Sequence, residues 1–381
     1  GPSMSASFVY LAYIQGAVYN ALVSIEGGYA AYNSALPAAS TTASRDAAVA
    51  AASYQMLLNF LTRFPNPDTQ AMLTSKYNAL RAEIDDTPAN ITAGVTVGNA
   101  AAAEMIALRT NDGLLDDIGY VVPTPGPGVW EPTVLPDGTV VPPVDPWMSL
   151  LKPFLRDTAS QYRAAPPPAL NDPAYLADLA EVRDWGGAVS ANRTTEQTEV
   201  AQFWTTNMVI QTNAAYRQVA ESRRLGLLDT ARLMAMGNMV ATDSLIYTFD
   251  TKYFYEFWRP TTAIRHTNPD GSYSATELNT WMPAVMVPSF PEYVAGHGSF
   301  VSSQAEVYTQ IFGTDVIEID LSSSVTGTTR HYATAAELRT EIINARTWAG
   351  LHFRSSSELA VTQGQTLVTN ALATYFGTAP N

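Results

Sequence analysis

The sequence predicts an all-α protein, with two helical halves that each have the proportions of a four-helix bundle and a long connection rich in proline and glycine between them. Three observations lead to this fold class. Apolar residues recur at three- and four-residue spacing through most of the 381-residue chain. Alternating patterns that would indicate strands are few. Hydrophobic residues make up 46% of the chain, which is enough for a large buried core.

The first predicted half spans residues 5–120. It follows residues 1–4, where Gly-Pro-Ser before a methionine is typical of the scar left when an expression tag is removed. A glycine pair beginning at Gly27 ends the first predicted helix, and Pro65 and Pro67 end the second. The four helices expected in this half cover residues 6–26, 43–63, 68–84 and 93–110.

The predicted connection, residues 121–169, carries repeated proline and glycine, which favours extended polyproline-like backbone or a short hairpin around Asp137 and Gly138. The second predicted half, residues 170–381, is again helical and holds the residues that suggest chemistry. Its expected helices cover residues 172–185, 193–224, 227–258, 298–312, 334–349 and 356–376.

The charge balance and composition exclude several classes of partner and site. The chain has 35 acidic and 21 basic residues, a net charge of −14, which argues against nucleic acids and anionic membranes as partners. It has no cysteine, so disulfides and thiolate metal sites are excluded. No run of about 18 apolar residues predicts a membrane span. The location stays open between secretion, with a leader peptide removed, and the cytoplasm, and so does assembly into a homo-oligomer.

Lys252 and Arg259 form the first of three pairs of residues that suggest an anion site. They are seven residues apart, nearly two helical turns, so one continuous helix ended by Pro260 would place both on one face. Aromatic residues surround them in the sequence, and burying two cations there is costly without an anion. The alternative is a solvated face from which both side chains extend into water.

Gly296 and His297 follow a segment crowded with proline and glycine and precede an apolar-periodic helix. This order places them at a helix N-terminus, where free N–H groups and the positive end of the helix dipole bind anions. A histidine at this point can give or take a proton at a bound group. The alternative is a capping turn with a histidine on the surface.

Arg346 and His352 are six residues apart, about 240° around a helix, so in an unbroken helix they would point in different directions. They converge only if the helix ends near Gly350, where glycine permits the required backbone conformation. The alternative is an ordinary helix C-terminus with cations near the negative end of its dipole.

Together the three segments supply the groups needed to hold and act on a phosphate-like tetrahedral anion. Guanidinium groups bind such anions through two parallel hydrogen bonds, and lysine adds a point charge. Two of the four histidines in the chain fall in these segments. The other two, His266 and His331, lie in polar surroundings and are expected on the surface.

The ordered motifs Lys-x6-Arg-Pro, Gly-His and Arg-x5-His resemble the signature of the vanadium haloperoxidase and type 2 phosphatidic acid phosphatase superfamily. The phrases at 257–265, 290–297 and 349–354 are similar to its bacterial vanadium-dependent haloperoxidase branch. The likeness continues upstream at 166–170 and 193–199. The resemblance thus covers most of the chain and implies a helical fold.

This resemblance implies vanadate as the cofactor, with phosphate or another tetrahedral oxyanion able to occupy the same site. The implied reaction oxidises a halide, bromide or chloride, with hydrogen peroxide and passes the halogen to a small organic acceptor. His352 is implied to bind vanadium, with His297 and Lys252 as its catalytic partners. Phe290 and Phe249 are assigned to the halide or substrate pocket. The groups implied to bind the cofactor are Lys252, Arg259, Gly296, His297, Arg346 and His352.

Two residues depart from the family pattern. Ala295 stands where a serine usually binds an oxyanion oxygen, and Ser356 stands where the phosphatases carry an aspartate that pairs with the nucleophilic histidine. Ser356 weighs against one alternative function, an acid phosphatase with a phosphohistidine intermediate at His352. Ala295 motivates another, a repurposed homologue that binds phosphate or catalyses a non-oxidative rearrangement. The carboxylates considered as partners of His297 are Asp184, Glu196 and Glu199.

Overall fold

The computed structural model describes residues 2–268 and 270–379. Gly1 of the predicted tag scar, Pro269, and residues 380–381 of the predicted second half lie outside the described residues. Within the described ranges the chain forms twelve α-helices, two short 3-10 helices and one two-stranded antiparallel sheet. The predicted helical fold class is confirmed.

Four helices account for most of the first hundred residues: α1 (Met4–Glu26), α2 (Arg45–Arg63), α3 (Pro67–Glu83) and α4 (Pro88–Leu108). Each begins at a side-chain cap, because the side chain of the preceding residue accepts a hydrogen bond from a backbone N–H of the first turn. These caps are Ser3, Ser44, Asn66 and Thr87. α4 starts before the predicted residue 93, since Thr87 is followed by a proline, which is favoured at the first position of a helix.

Glycine allows α2 and α4 to approach each other closely. A Cβ atom at Gly94 would lie 2.1 Å from the carbonyl oxygen of Ser44, and one at Gly98 would lie 2.3 Å from that of Ala48. Both distances are far below van der Waals contact, so any side chain at either position would push the two helices apart. By contrast, α3 has no buried residue.

Two helices, α1 and α4, are long and apolar enough to cross a bilayer when judged by length and composition alone. In α1, 83% of the apolar window is buried inside the protein, as in the core helix of a soluble protein, whereas 28% of the window in α4 is buried. The prediction that the chain has no membrane span therefore stays a prediction.

The remaining elements are, in chain order, α5 (Pro173–Trp185), α6 (Thr195–Phe203), α7 (Met208–Ser222), α8 (Leu227–Tyr255), α9 (Pro260–His266), α10 (Gly296–Phe312), β1 (Val316–Ser322), β2 (Thr329–Thr334), α11 (Ala335–Trp348) and α12 (Arg354–Leu372). The single helix predicted over residues 193–224 is wrong, because this range holds both α6 and α7. The side chain of Asn207 accepts hydrogen bonds from the N–H groups of Val209 and Ile210, and so caps a new helix start.

Strands β1 and β2 form the sheet, and the sequence-based predictions include no strand in this region. β1 alternates strictly between exposed and buried residues, which is the period-two pattern of a half-buried strand. In the antiparallel register Asp320 pairs with His331, and Ser322 pairs with Thr329.

The predicted connection, residues 121–169, is mostly irregular. Its two 3-10 helices are Pro146–Leu150 and Ala159–Tyr162. The hairpin predicted around Asp137 is confirmed, because Val134 pairs with Val140 in an antiparallel bridge on either side of it.

The described residues group into two compact units, and neither unit is one continuous stretch of chain. The first comprises residues 2–112, 216–242 and 370–379, and the second comprises residues 113–215 and 243–369. Every residue predicted for the anion site lies in the second unit. The predicted division of the chain into consecutive ranges stays a prediction.

Candidate active site

Lys252 lies on the last turn of α8 and is fully buried. Its ammonium group donates hydrogen bonds to the carbonyl oxygens of Pro291 and Glu292, at 2.9 and 2.7 Å. The prediction that Lys252 and Arg259 share one helical face is wrong. α8 ends before Arg259, since Glu256 takes a left-handed backbone conformation with a φ of 49°. Arg259 is instead the extended N-cap residue of α9, so the two cations reach the site from different elements.

Arg259 is buried, and its guanidinium group bonds to two other segments. Nε donates to the carbonyl oxygen of Phe290 at 3.0 Å, and Nη1 donates to that of Leu351 at 2.9 Å. Nη1 also lies 3.2 Å from Nε2 of His352. Nη2 is buried and has no hydrogen-bond partner among the described residues. Burial lowers the pKa of Arg259 to about 10, so the residue remains a cation at neutral pH.

Gly296 is the first residue of α10, as predicted. The residue before it, Ala295, occupies the N-cap position and provides no side-chain hydrogen bond to the helix. The first N–H groups of a helix have no intrahelical partner. The N-terminal turn of α10 therefore presents donors to whatever lies in front of it.

His297 is the second residue of α10 and is partly exposed. Its ring hydrogen-bonds to the backbone of Trp204. The surrounding protein removes much of the water from around the ring, and this desolvation, followed by the nearby charges of Arg346 and Lys252, lowers the pKa of His297 well below its ordinary value. The imidazole is therefore neutral at neutral pH.

A sharp turn after α11 connects Arg346 to His352, as the prediction required. α11 ends just before Gly350, which takes a φ of 75°. A Cβ atom there would lie 2.3 Å from the carbonyl oxygen of Gly186, so only glycine fits. Arg346 is buried, and its Nε has no hydrogen-bond partner in the part of the chain that the structure describes. Burial and the charge of Arg259 lower the pKa of Arg346 to about 9.

The buried carboxylate of Glu292 is the site group that sequence reasoning missed. Its Oε1 lies 2.8 Å from Nδ1 of His352 and accepts the backbone N–H of Phe353 at 3.1 Å. Because Arg259 can only donate towards Nε2 of the same ring, we assign the ring proton to Nδ1, which donates it to Glu292. Burial raises the pKa of Glu292 to about 7, against the lowering effect of Lys252.

The sequence does carry a signal for Glu292. It is an acidic residue inside the otherwise apolar segment 290–295, and an acidic side chain is rarely buried without a partner. The three carboxylates considered for His297 pair elsewhere, Asp184 with Arg183, and Glu196 and Glu199 with Arg330. His352 therefore has a carboxylate partner, Glu292, although Ser356 replaces the aspartate expected at the phosphatase position.

The site holds more buried positive charge than negative charge. Lys252, Arg259 and Arg346 are all buried, while Glu292 is the carboxylate among them. Burial, together with the charges of Arg259 and Arg346, lowers the pKa of Lys252 well below its ordinary value. No group of three or more histidine, aspartate or glutamate side chains that could hold a metal cation occurs in residues 2–268 and 270–379. The arrangement is suited to an anion, which would neutralise the excess positive charge.

Phe249 and Phe290 lie side by side, with 5.3 Å between their ring centroids. Nζ of Lys252 is 5.1 Å from the centroid of Phe290, and Cζ of Arg259 is 4.8 Å from it. These are cation–π distances, so an aromatic wall adjoins the cations. The role of the two phenylalanines in a halide or substrate pocket stays a prediction.

His266 and His331 lie outside the candidate site. His331 is exposed, and its two ring nitrogens lie 2.8 and 3.0 Å from carboxylate oxygens of Asp320 and Glu318. Hydrogen bonding to these carboxylates raises the pKa of His331. His266, the last residue of α9, is partly buried and stacks on Tyr273.

Known proteins share the region that contains the site. Residues 232–377 match the family model described as the VCPO second helical-bundle domain, and this range contains every cation, histidine and carboxylate assigned to the site. The resemblance to the vanadium haloperoxidase family is confirmed over these residues. The vanadium chloroperoxidase of Curvularia inaequalis is 27% identical to this chain over 177 residues. The aligned part is 38% of this chain and 28% of that protein, so the chain spans less than a third of that relative's length.

Two solved bacterial structures have the same fold as this chain. A bacterial vanadium-dependent iodoperoxidase has a TM-score of 0.81 and 20% identity, covering 100% of this chain and 93% of that one. A holo-type bacterial vanadium-dependent chloroperoxidase has a TM-score of 0.78 and 18% identity, covering 97% of this chain and 92% of that one. At these identities the likeness shows the fold alone.

Proposed function

We propose that this protein is a vanadate-dependent haloperoxidase that oxidises a halide, bromide or chloride, with hydrogen peroxide. One peroxide, one halide and one proton give hypohalous acid and water, and the hypohalous acid halogenates a small organic acceptor. The observation that carries the proposal is the ring of His352, whose unprotonated Nε2 lies in a buried cluster of cations. Bound vanadate would supply a Lewis acid that activates peroxide.

The buried donors fit a tetrahedral oxyanion. Nη2 of Arg259 and Nε of Arg346 are buried N–H groups without a partner within the residues described. Such groups carry a desolvation penalty that an anionic acceptor would remove. The N-terminal N–H groups of α10, at Gly296, and the ammonium group of Lys252 add further donors. We assign these groups to the oxyanion oxygens and Nε2 of His352 to the vanadium.

His297 is the residue that we expect to move protons. Its lowered pKa keeps the imidazole neutral at neutral pH, so the ring can accept a proton from hydrogen peroxide. The same ring, once protonated, can return the proton to the departing oxygen. Arg346 and Lys252 help to lower this pKa, and an anion bound beside them would offset their effect.

Glu292 positions His352. A carboxylate that accepts the Nδ1 proton holds the imidazole in one orientation and makes Nε2 a better ligand. The second contact of Glu292, from the backbone N–H of Phe353, ties the carboxylate to the same turn that carries His352. Both contacts are buried and so lose little to solvent.

The contact between Glu292 and His352 also favours a second candidate, an acid phosphatase with a phosphohistidine intermediate. A phosphoryl-accepting imidazole gains from an orienting carboxylate. From the sequence, Ser356 weighed against this activity because it replaces an aspartate. Glu292 supplies the carboxylate from another segment, so Ser356 alone does not distinguish the two activities.

The experiment is bromination of phenol red by the purified protein with hydrogen peroxide and bromide, after incubation with orthovanadate or with excess phosphate. We expect activity that requires vanadate, is suppressed by phosphate and is abolished in His352→Ala. His331→Gln is the matched control, because His331 is an exposed histidine outside the site and its loss leaves activity unchanged. Folded protein that brominates nothing at any vanadate concentration would refute the proposal.

Hydrolysis of p-nitrophenyl phosphate by the same vanadate-free samples tests the second candidate. Hydrolysis that His352→Ala abolishes, in a protein that never brominates, would identify a phosphatase. Absence of both activities would leave the repurposed homologue as the remaining alternative.

A further inference from the structure

We propose that the hydroxyl group of Thr248 is an additional donor to the bound tetrahedral oxyanion. The inference rests on the proposed function, since it adds a ligand to the same anion site. It assigns a binding role to a residue outside the three motif segments.

The side chain of Thr248 is buried, and its Oγ1 has no hydrogen-bond partner across residues 2–268 and 270–379. A threonine within a helix commonly donates to the carbonyl oxygen four residues earlier. Thr242 on the same helix does so at 2.8 Å, to Asn238, and Thr309 on α10 does so at 3.1 Å, to Ala305. Thr248 has no such bond, which leaves a buried donor unsatisfied.

The position of Thr248 on α8 indicates which ligand its hydroxyl group could donate a hydrogen bond to. It lies four residues before Lys252 on α8, so the two side chains share one face of the helix. Helical side chains lean towards the N-terminus, which brings the Lys252 side chain over the turn that carries Thr248. The Thr248 methyl group would also lie 3.6 Å from a Cβ atom at Gly296.

Thr248 therefore shares a helix face with Lys252 and adjoins Gly296 at the start of α10, and both of these residues are assigned to the anion. The N-cap of α10, Ala295, provides no side-chain donor. A neutral hydroxyl can fill this gap, because it donates to an oxyanion oxygen without adding to the repulsion among the buried cations.

The test compares Thr248→Val, Thr248→Ser and the unmodified chain by calorimetric titration with inorganic vanadate and, separately, with inorganic phosphate. Valine keeps the shape and removes the donor, so we expect about tenfold weaker binding of both anions. Serine keeps the donor and should bind within about twofold of the unmodified chain. The anion-free valine variant should unfold at the same temperature as the unmodified chain or higher, because the hydroxyl it loses has no partner among the described residues.

Thr242→Val is the matched control. Thr242 is also a buried threonine of α8 but, unlike that of Thr248, its hydroxyl donates within the helix, so its loss should lower the unfolding temperature and leave anion affinity unchanged. If the unmodified chain binds the anions and Thr248→Val binds them equally well, the role of Thr248 is refuted while the proposed function stands. If the unmodified chain binds neither anion, both are refuted.

Discussion

The two nitrogens of the His352 ring contact different residues. Nδ1 lies 2.8 Å from Glu292, and Nε2 lies 3.2 Å from Arg259. The carboxylate holds the proton on the far side of the ring, so the lone pair of Nε2 is directed at the cation cluster. This arrangement would serve a bond to vanadium or to phosphorus, so one site would accommodate either candidate function.

Substitution of Glu292 tests the orienting contact. Glutamine keeps an acceptor for His352 but loses the charge, and alanine loses both. We expect vanadate affinity to fall about tenfold in Glu292→Gln and about 100-fold in Glu292→Ala, the range found when groups behind metal-binding histidines are removed. Equilibrium titration with vanadate measures both. Glu196→Gln, an exposed change of the same charge, is the control, and an affinity in Glu292→Ala equal to that control would contradict the orienting role.

The pKa of His297 gives a readout that is independent of turnover. Without an anion we expect this pKa well below 6.5, so the ring is neutral at pH 6.5. A bound phosphate or vanadate favours the charged ring and raises the pKa. By linkage, anion binding then strengthens as the pH falls towards that pKa. Nitrogen-15 NMR of the imidazoles, with and without phosphate, measures the shift.

His331 is the internal reference in that titration, because its carboxylate neighbours raise its pKa and it lies outside the site. A His297 ring that is half-protonated at or above pH 6.5 in the absence of any anion would show that the buried cations do not act on it as described.

The turn after α11 carries His352 and depends on a glycine, Gly350. Gly350 combines a φ of 75° with a Cβ position 2.3 Å from the carbonyl oxygen of Gly186. Gly313, at the end of α10, has a φ of 65° and open space around its Cβ position. Alanine substitutions at these two glycines therefore distinguish two costs. The change at Gly313 strains only the left-handed backbone, and the change at Gly350 adds a steric clash.

We expect Gly313→Ala to lower the free energy of unfolding by about 1 kcal/mol, the strain of the backbone alone. Gly350→Ala adds the clash and should lose about 3 kcal/mol or more, together with anion binding, because the displaced turn carries His352. Chemical denaturation and vanadate titration measure the two effects. Equal losses of stability in the two variants would mean that the close approach at Gly350 is unimportant.

Local signals made part of these elements predictable. The glycine at 350 and the proline- and glycine-rich entry to Gly296 mark a helix end and a helix start in the sequence itself. The end of α8 carries no such mark, because a seven-residue spacing suits a continuous helix. Glu256, where α8 breaks, accepts the Tyr120 hydroxyl at 2.8 Å and the Trp130 N–H at 2.7 Å, contacts with residues more than a hundred positions away. Periodicity within a helix contains no information about them.

Contacts between residues distant in the sequence also explain why the role of Glu292 was not predicted, whereas the other site residues were. Cationic residues and histidines at the motif spacing can be recognised in the sequence from their residue types alone. Glu292 gains its role from His352, which lies 60 residues further along the chain. Its pairing depends on how the segments before α10 and after α11 meet, and only the folded chain shows that.

At the scale of the molecule, the sequence pattern also does not indicate where the two compact units divide the chain. Residues 227–242 of α8 belong to one unit and residues 243–255 to the other. The helical pattern is the same on both sides of this boundary, so periodicity predicts one helix and gives no sign that two bodies share it. The helical fold class, by contrast, follows from composition and periodicity over the whole chain.

The charge of the whole molecule opposes the charge of its site. The net charge is −14, while the site buries an excess of cations that does not exist as a cluster in the unfolded chain. An anion that binds this cluster therefore stabilises the folded state alone. At a concentration one hundred times the dissociation constant we expect about 2.7 kcal/mol of added stability, and a higher unfolding temperature, for vanadate and phosphate alike.

Thermal unfolding over a series of vanadate and phosphate concentrations measures this stabilisation. Arg346→Ala serves as the comparison, because it removes one cation of the cluster and should respond less at the same concentrations. Identical unfolding temperatures with and without saturating anion would contradict an anion site in the folded protein.

The most direct measurement is a crystal structure of the protein soaked in orthovanadate, with anomalous diffraction collected around the vanadium absorption edge. We predict one anomalous peak within bonding distance of Nε2 of His352, with density for oxygen atoms reaching the guanidinium groups of Arg259 and Arg346. The peak should disappear in His352→Ala. A fully loaded crystal whose vanadium lies away from His352, or one with no anomalous peak at all, would contradict the assignment of this cluster as a vanadate site.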